Sequence, residues 1–202
     1  MRVGNYSVVV PEGIERESGH VELDHGRQYT LRLMSHDHRQ CDAEVTIDGK
    51  YLDTFRLRGH GQVTLERMPN DTGRLTFYSS GTDEAGQAGE LSVAVPDKGL
   101  IQVRLVPEKY RAPVPTPTTG HVLRSKSMRP IGMCSFAGQE EKTSGGITGL
   151  SGHSGQQFVN VEAINREESE AVTISIRLVT GNTGPRPLRA SAGTANPVPQ
   201  PV

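Results

Sequence analysis

The sequence predicts an all-β protein: an antiparallel sandwich or jelly-roll-like barrel with extended Pro-rich arms. Three observations predict it. Between residues 29 and 78, apolar side chains occupy every second position in five successive short runs, which sends alternate side chains to a buried face and a solvated one. Asp48-Gly49 separates two of these runs, and a type I′ hairpin turn needs positive φ at both central residues. No segment repeats its apolar residues at helical spacing; Gln139-Glu140-Glu141-Lys142 amounts at most to a single turn. The 23 glycines and 13 prolines among 202 residues fit many short strands joined by turns.

Taken in order, Val8-Val9-Val10, closed by Pro11 and Gly13, reads as a first or edge strand. Residues 14–27 are polar and mixed, and read as an extended arm or loop. A one-sided antiparallel meander follows over 29–78. Its first strand is Tyr29-Thr30-Leu31-Arg32-Leu33, and later runs carry Ala43, Val45 and Ile47, then Phe55 and Leu57, Val63 and Leu65, and Leu75 and Phe77. Arg32, Glu44, Thr46, Arg56, Thr64 and Glu66 take the polar face. Residues 79–89 are a long loop by composition. Leu91 to Val95 alternates, Asp97-Lys98-Gly99 turns, and Leu100 to Val106 alternates again, which predicts a second hairpin over 91–106.

Residues 1–110 therefore read as a β-sandwich core. A Pro-rich linker or arm spans 111–122, where Pro113, Pro115 and Pro117 favour an extended polyproline-like backbone. Residues 123–180 bring Gly-rich loops, a strand-like Phe158-Val159-Asn160-Val161, and a β-branched run from Val172 to Val179 that completes the same core. Residues 181–202 hold Pro185, Pro187, Pro197, Pro199 and Pro201 and read as a flexible tail. The expected core is Val45, Ile47, Phe55, Leu57, Val63, Leu65, Leu75, Phe77, Ile174 and Ile176.

Composition narrows the function. Lys and Arg number 22 against 23 Asp and Glu, so the basic excess of a nucleic-acid binder is missing. No apolar stretch approaches the roughly 20 residues of a membrane helix, and Met1 to Tyr6 lacks the pattern of a secretory signal. Neither a nucleic acid nor a membrane is expected as partner. With 4% aromatic residues and no Trp the core is lean. Cys41 and Cys134 read as small buried hydrophobes, with a disulfide between them left open.

Three constellations invite a chemical reading. His36-Asp37-His38 with Cys41 holds zinc-type donors, but a closed site needs a fourth ligand and none has suitable spacing. Gly149-Leu150-Ser151-Gly152-His153-Ser154-Gly155 places serine beside histidine without the Gly-x-Ser-x-Gly elbow or a P-loop lysine. It reads as a turn series, with a hydrolase using Ser151, His153 and Ser154 as a remote reading. The carboxylates Asp83-Glu84, Glu140-Glu141 and Glu167-Glu168 read as solvated charge. No catalytic, cofactor-binding or metal-binding residue is assigned, no cofactor is expected, and the protein is read as not an enzyme. Tyr29, Phe55, Phe77 and Tyr78 are the aromatics that would stack on sugars or bases, although the core is expected to claim Phe55 and Phe77.

Two segments carry a resemblance. Cys41-Asp42-Ala43-Glu44-Val45-Thr46-Ile47-Asp48-Gly49-Lys50, continuing through Phe55-Arg56-Leu57 to Leu65-Glu66-Arg67, is one. Gly149-Leu150-Ser151-Gly152-His153-Ser154 with Gln157-Phe158-Val159 and Thr173 to Val179 is the other. Together they cover about half the chain. They resemble a largely uncharacterised group of β-rich structural proteins of tailed phages and large DNA viruses. The resemblance implies a virion location after synthesis in the host cytoplasm. It also implies a role as capsid decoration, cement, vertex or fibre component, with the major capsid protein or other virion proteins as partners. The Pro-rich arms suit a protein that clamps its neighbours and forms homo-oligomers. The alternative is a glycan- or receptor-binding module of a phage tail or adhesin.

Overall fold

A computed structural model describes residues 1–16, 19–110 and 145–181. The expected linker 111–122, Cys134, the first part of the 123–180 stretch and the tail from 182 lie outside the described residues. The described residues form β1 (Arg2–Val3), β2 (Tyr6–Val9), β3 (Ile14–Glu15), β4 (His20–Leu23), β5 (Arg27–Gln28), β6 (Leu31–Ser35), β7 (Cys41–Ile47), β8 (Lys50–Leu57), β9 (Gln62–Leu65), β10 (Arg74–Ser79), β11 (Leu100–Pro107), β12 (Gly146–Ser151) and β13 (Val172–Thr180), with one short helix α1 (Asp83–Gln87). The all-β expectation holds as an open sandwich, and among the described residues no barrel closes.

Three sheets enclose one main core. The largest runs β3-β4-β13-β11-β7-β8, the second β1-β2-β6-β9, and the third β12-β10-β5. Every pairing is antiparallel except β4 with β13, which is parallel. In the large sheet the alternation of β7 sets the register. Ala43, Val45 and Ile47 stand opposite Leu105, Val103 and Ile101 of β11, and Val103 and Ile101 in turn face Ile174 and Ile176 of β13. These cross-strand apolar pairs are the unit of sheet stabilisation. Their side chains join Leu31, Leu33, Leu65, Leu75 and Phe77 from the other sheets in the core. Of the ten residues expected to be buried, nine are; Val63 is half-buried against the same cluster.

The turn at Asp48-Gly49 has φ of 51° and 74°, as a type I′ hairpin demands. Beyond it β8 carries a bulge: Thr46 faces Tyr51 but Val45 faces Asp53, so Leu52 is the extra residue.

Several expectations are corrected. The five strands of 29–78 all form, but not as a meander. Only β7 and β8 pair as neighbours in sequence, while β6 pairs with β2 and β9, and β10 with β12 and β5. Alternation fixes which face a residue uses and leaves the choice of neighbouring strand to tertiary packing. The second hairpin over 91–106 is also absent. β11 forms, but Glu90–Ser92 and Val95–Asp97 are short 3-10 turns. Both edges of β11 are already paired, one with β7 and one with β13, and Leu91 is 96% exposed. Residues 83–87 of the expected loop are helical, because Thr82 Oγ1 caps the Ala85 amide at 3.2 Å and Asp83 and Glu84 fill the first turn. Residues 14–27 contain β3, β4 and β5. The run beginning at Val8 is an inner strand, flanked by β1 and β6. Phe158 to Val161 form no strand.

Candidate functional site

A cavity of about 480 Å³ lies beside the β7–β8 turn, roofed by α1 and walled by β12. Its apolar lining includes Ile47, Met68, Tyr78, Val93, Ile147 and Leu150, and its charged lining is Asp48, Lys50 and Glu84. Asp48 is 6% exposed. The Gly99 amide donates to its Oδ1 at 2.6 Å and the Thr148 amide to its Oδ2 at 2.7 Å. The carboxylate thus ties the hairpin turn to the entry of β11 and to β12. Burial pushes the Asp48 carboxyl up to about 6, against the opposing pull of the two amides. Tyr29, fully buried, meets Thr148 Oγ1 at 2.7 Å on the core side of β12.

The roof is held by charge. Glu90 accepts from the Gly81 amide at 2.9 Å and from Lys98 Nζ at 3.0 Å, and that amide and ammonium hold its carboxyl below the usual range. Arg177 of β13 donates to the carbonyls of Lys98 and Pro96 at 2.6 and 2.7 Å.

A second feature is the strap from Gly152 to Arg166, which forms no strand and meets the end of β11 only through an isolated bridge between Arg166 and Glu108. The Ser154 amide donates to the Thr72 carbonyl at 2.8 Å and the Lys109 amide to the Asn165 carbonyl at 2.7 Å, and side chains fasten the strap along its length. Ser154 Oγ donates to Glu66, and Gln156 bonds both the Glu66 amide and the Thr64 carbonyl along β9. Arg67 donates to the Gln156 carbonyl and stacks over Phe158 at 4.7 Å, while Phe158 packs on Phe55. Arg56 reaches the Glu162 carbonyl at 2.9 Å. At the far end Arg166 pairs with Asp42 at 2.9 Å and Glu44 at 2.6 Å; Asp42 also takes Arg56 at 2.6 Å, and Glu44 takes Arg104 at 3.1 Å. Val159 and Val161 are left 83% and 60% exposed.

The constellations singled out in the sequence are dispersed. His36 Nε2 meets Ser7 Oγ at 3.1 Å, and His38 meets Asp37 at 3.1 Å. Asp37 is claimed by Arg39, whose guanidinium lies 2.9 Å away and holds its carboxyl down to about 2. Cys41 is buried in the core, and burial pushes its thiol up to about 12. Among the described residues no three His, Cys, Asp or Glu side chains are grouped to hold a metal ion.

Ser151 Oγ bonds Thr76 and Gln28, Ser154 bonds Glu66, and His153 is exposed. No serine–histidine pair is made in this segment. Glu168 and Arg104 form an ion pair, whereas Glu140 and Glu141 lie outside the described residues. Tyr29, Phe55 and Phe77 are buried, as expected for the two phenylalanines. A shallower groove is lined by Glu12, Arg27, Gln28, Tyr29, Thr30 and Arg74, and the ring of Tyr29, at 1% exposure, is not open to stacking there.

Nothing in the sequence signals that Asp48 is buried, since Asp-Gly is a preferred pair in ordinary solvent-facing hairpin turns as well. Compared with protein-family models, with curated proteins and with solved structures, the chain matches none.

Proposed function

We propose that this chain is a non-enzymatic structural protein of a virus particle. In this reading it is a capsid decoration, cement, vertex or fibre component that grips the major capsid protein or other virion proteins and associates with copies of itself. The reading starts from the resemblance of residues 41–67 and 149–179. The observation that carries it in the fold is the strap of residues 152–166. There a stretch of chain is laid over a β-core and fastened by side-chain hydrogen bonds, and it turns Val159 and Val161 to the outside. An arm lying along a neighbouring subunit makes contacts of the same kind. Exposed β-branched residues on such a segment supply apolar surface for a partner.

The test is mass spectrometry of gradient-purified particles from the infected host. This protein is expected at a fixed ratio to the major capsid protein. Its absence from particles that are otherwise complete defeats the reading.

A further inference from the structure

We propose that the cavity beside Asp48 is a binding site for an organic cation, an ammonium carried on an apolar stem. Asp48 is a nearly fully buried carboxylate that lines the cavity, and among the described residues it forms no ion pair with Lys, Arg or His. Buried charges are ordinarily paired, because an uncompensated one is costly to desolvate. The Gly99 amide, the Thr148 amide and the Thr148 hydroxyl all donate to Asp48, which leaves a carboxylate of about four acceptor sites capacity for one more donor.

The walls suit the stem of such a ligand. Ile47, Ile147 and Leu150 are aliphatic, Met68 is a polarizable thioether, and Tyr78 supplies a ring. The charged lining is two carboxylates, Asp48 and Glu84, against one ammonium, Lys50. The site is therefore net negative; Lys50 attracts the Asp48 charge, but its side chain is exposed. A volume of about 480 Å³ falls in the range of ordinary small-ligand sites. The cation has two possible sources, a free amine or a lysine side chain of another protein. Their shared chemistry is the ammonium on a short methylene chain.

The test titrates the full chain with hexylammonium chloride, hexan-1-ol and Nα-acetyl-lysine methylamide, following backbone amide resonances by NMR. Hexylammonium is expected to shift Gly99, Thr148 and Gly149, and to bind at least about ten-fold more tightly than the alcohol, the margin between a charged and a neutral hydrogen bond. Tighter binding of the lysine derivative than of hexylammonium assigns the site to a protein side chain; the reverse assigns it to a free amine. Ala88 also lines the cavity, and Ala88→Trp, which fills it, is expected to abolish the shifts. Equal binding of amine and alcohol, or shifts that leave Gly99 and Thr148 untouched, overturns the proposal, and neither result depends on a variant.

Discussion

Replacing Asp48 by Asn should change how stability depends on pH, and the direction can be worked out. The wild-type carboxyl titrates at about 6 in the folded protein against 3.8 for the free group. An acid whose folded value is raised stabilises the fold fully below the unfolded value, and loses that contribution as pH rises through the folded one. The window is therefore pH 4 to 6. With each unit equal to 1.36 kcal/mol, the swing is about 3 kcal/mol, undiminished by solvent because the group is buried. Urea denaturation of both proteins at pH 4, 5, 6 and 7 measures it. The wild type should lose about 2 kcal/mol relative to Asp48→Asn between pH 4 and pH 7, the rest of the swing being already gone at pH 4. Subtracting the two curves removes the other titrating groups, including Asp37, whose contribution is lost only as pH falls from 3.8 through about 2. Parallel curves would refute the reasoning. A difference of opposite slope would show that the amides of Gly99 and Thr148 outweigh burial.

Other outcomes follow from packing and backbone geometry. Ile47→Asp puts a charge among Val45, Ile101 and Ile176 and should leave no cooperative thermal transition, as seen by circular dichroism. A wild-type midpoint in that variant contradicts the assigned core. Arg166→Ala removes the guanidinium shared by Asp42 and Glu44. It should cost about 2 kcal/mol in urea unfolding and speed amide exchange across residues 157–166, whereas unchanged exchange means the strap is held elsewhere. Gly99 sits at φ 68°, and a Cβ there would lie 2.5 Å from the Leu178 carbonyl oxygen. Gly99→Ala should therefore cost more than about 1 kcal/mol, and a neutral result in calorimetry would show that the turn relaxes.

What the sequence revealed depended on how local the determining force is. Alternation in Cys41–Ile47 and Val172–Thr180 reported the buried face, because facing is a property of the strand itself. Asp48-Gly49 reported its own turn for the same reason. The neighbour of each strand was not legible. That Leu31–Ser35 sits beside Gln62–Leu65, and that Leu100–Pro107 prefers Val172–Thr180 to Leu91–Val95, is decided by competition between segments far apart in the chain. The small helix was readable in principle from Thr82-Asp83-Glu84, a capping residue followed by acidic residues. The glycines around it pointed to a loop instead. The cavity was the least legible feature. It depends on three segments meeting at one carboxylate, and no spacing within any one of them signals that meeting.

The position of β13 bears on how the chain reaches its native state. This strand is the last of the described strands, yet it occupies the middle of the six-stranded sheet, with β4 on one side and β11 on the other. A ribosome-bound chain that has not yet released residue 180 holds β4 and β11 with unpaired, hydrogen-bond-hungry borders facing each other across a gap. Closure must then wait for a segment some 150 residues downstream of β4, a topology that folds slowly. Until that strand arrives, the nascent protein exposes two unpaired rims open to pairing with other chains.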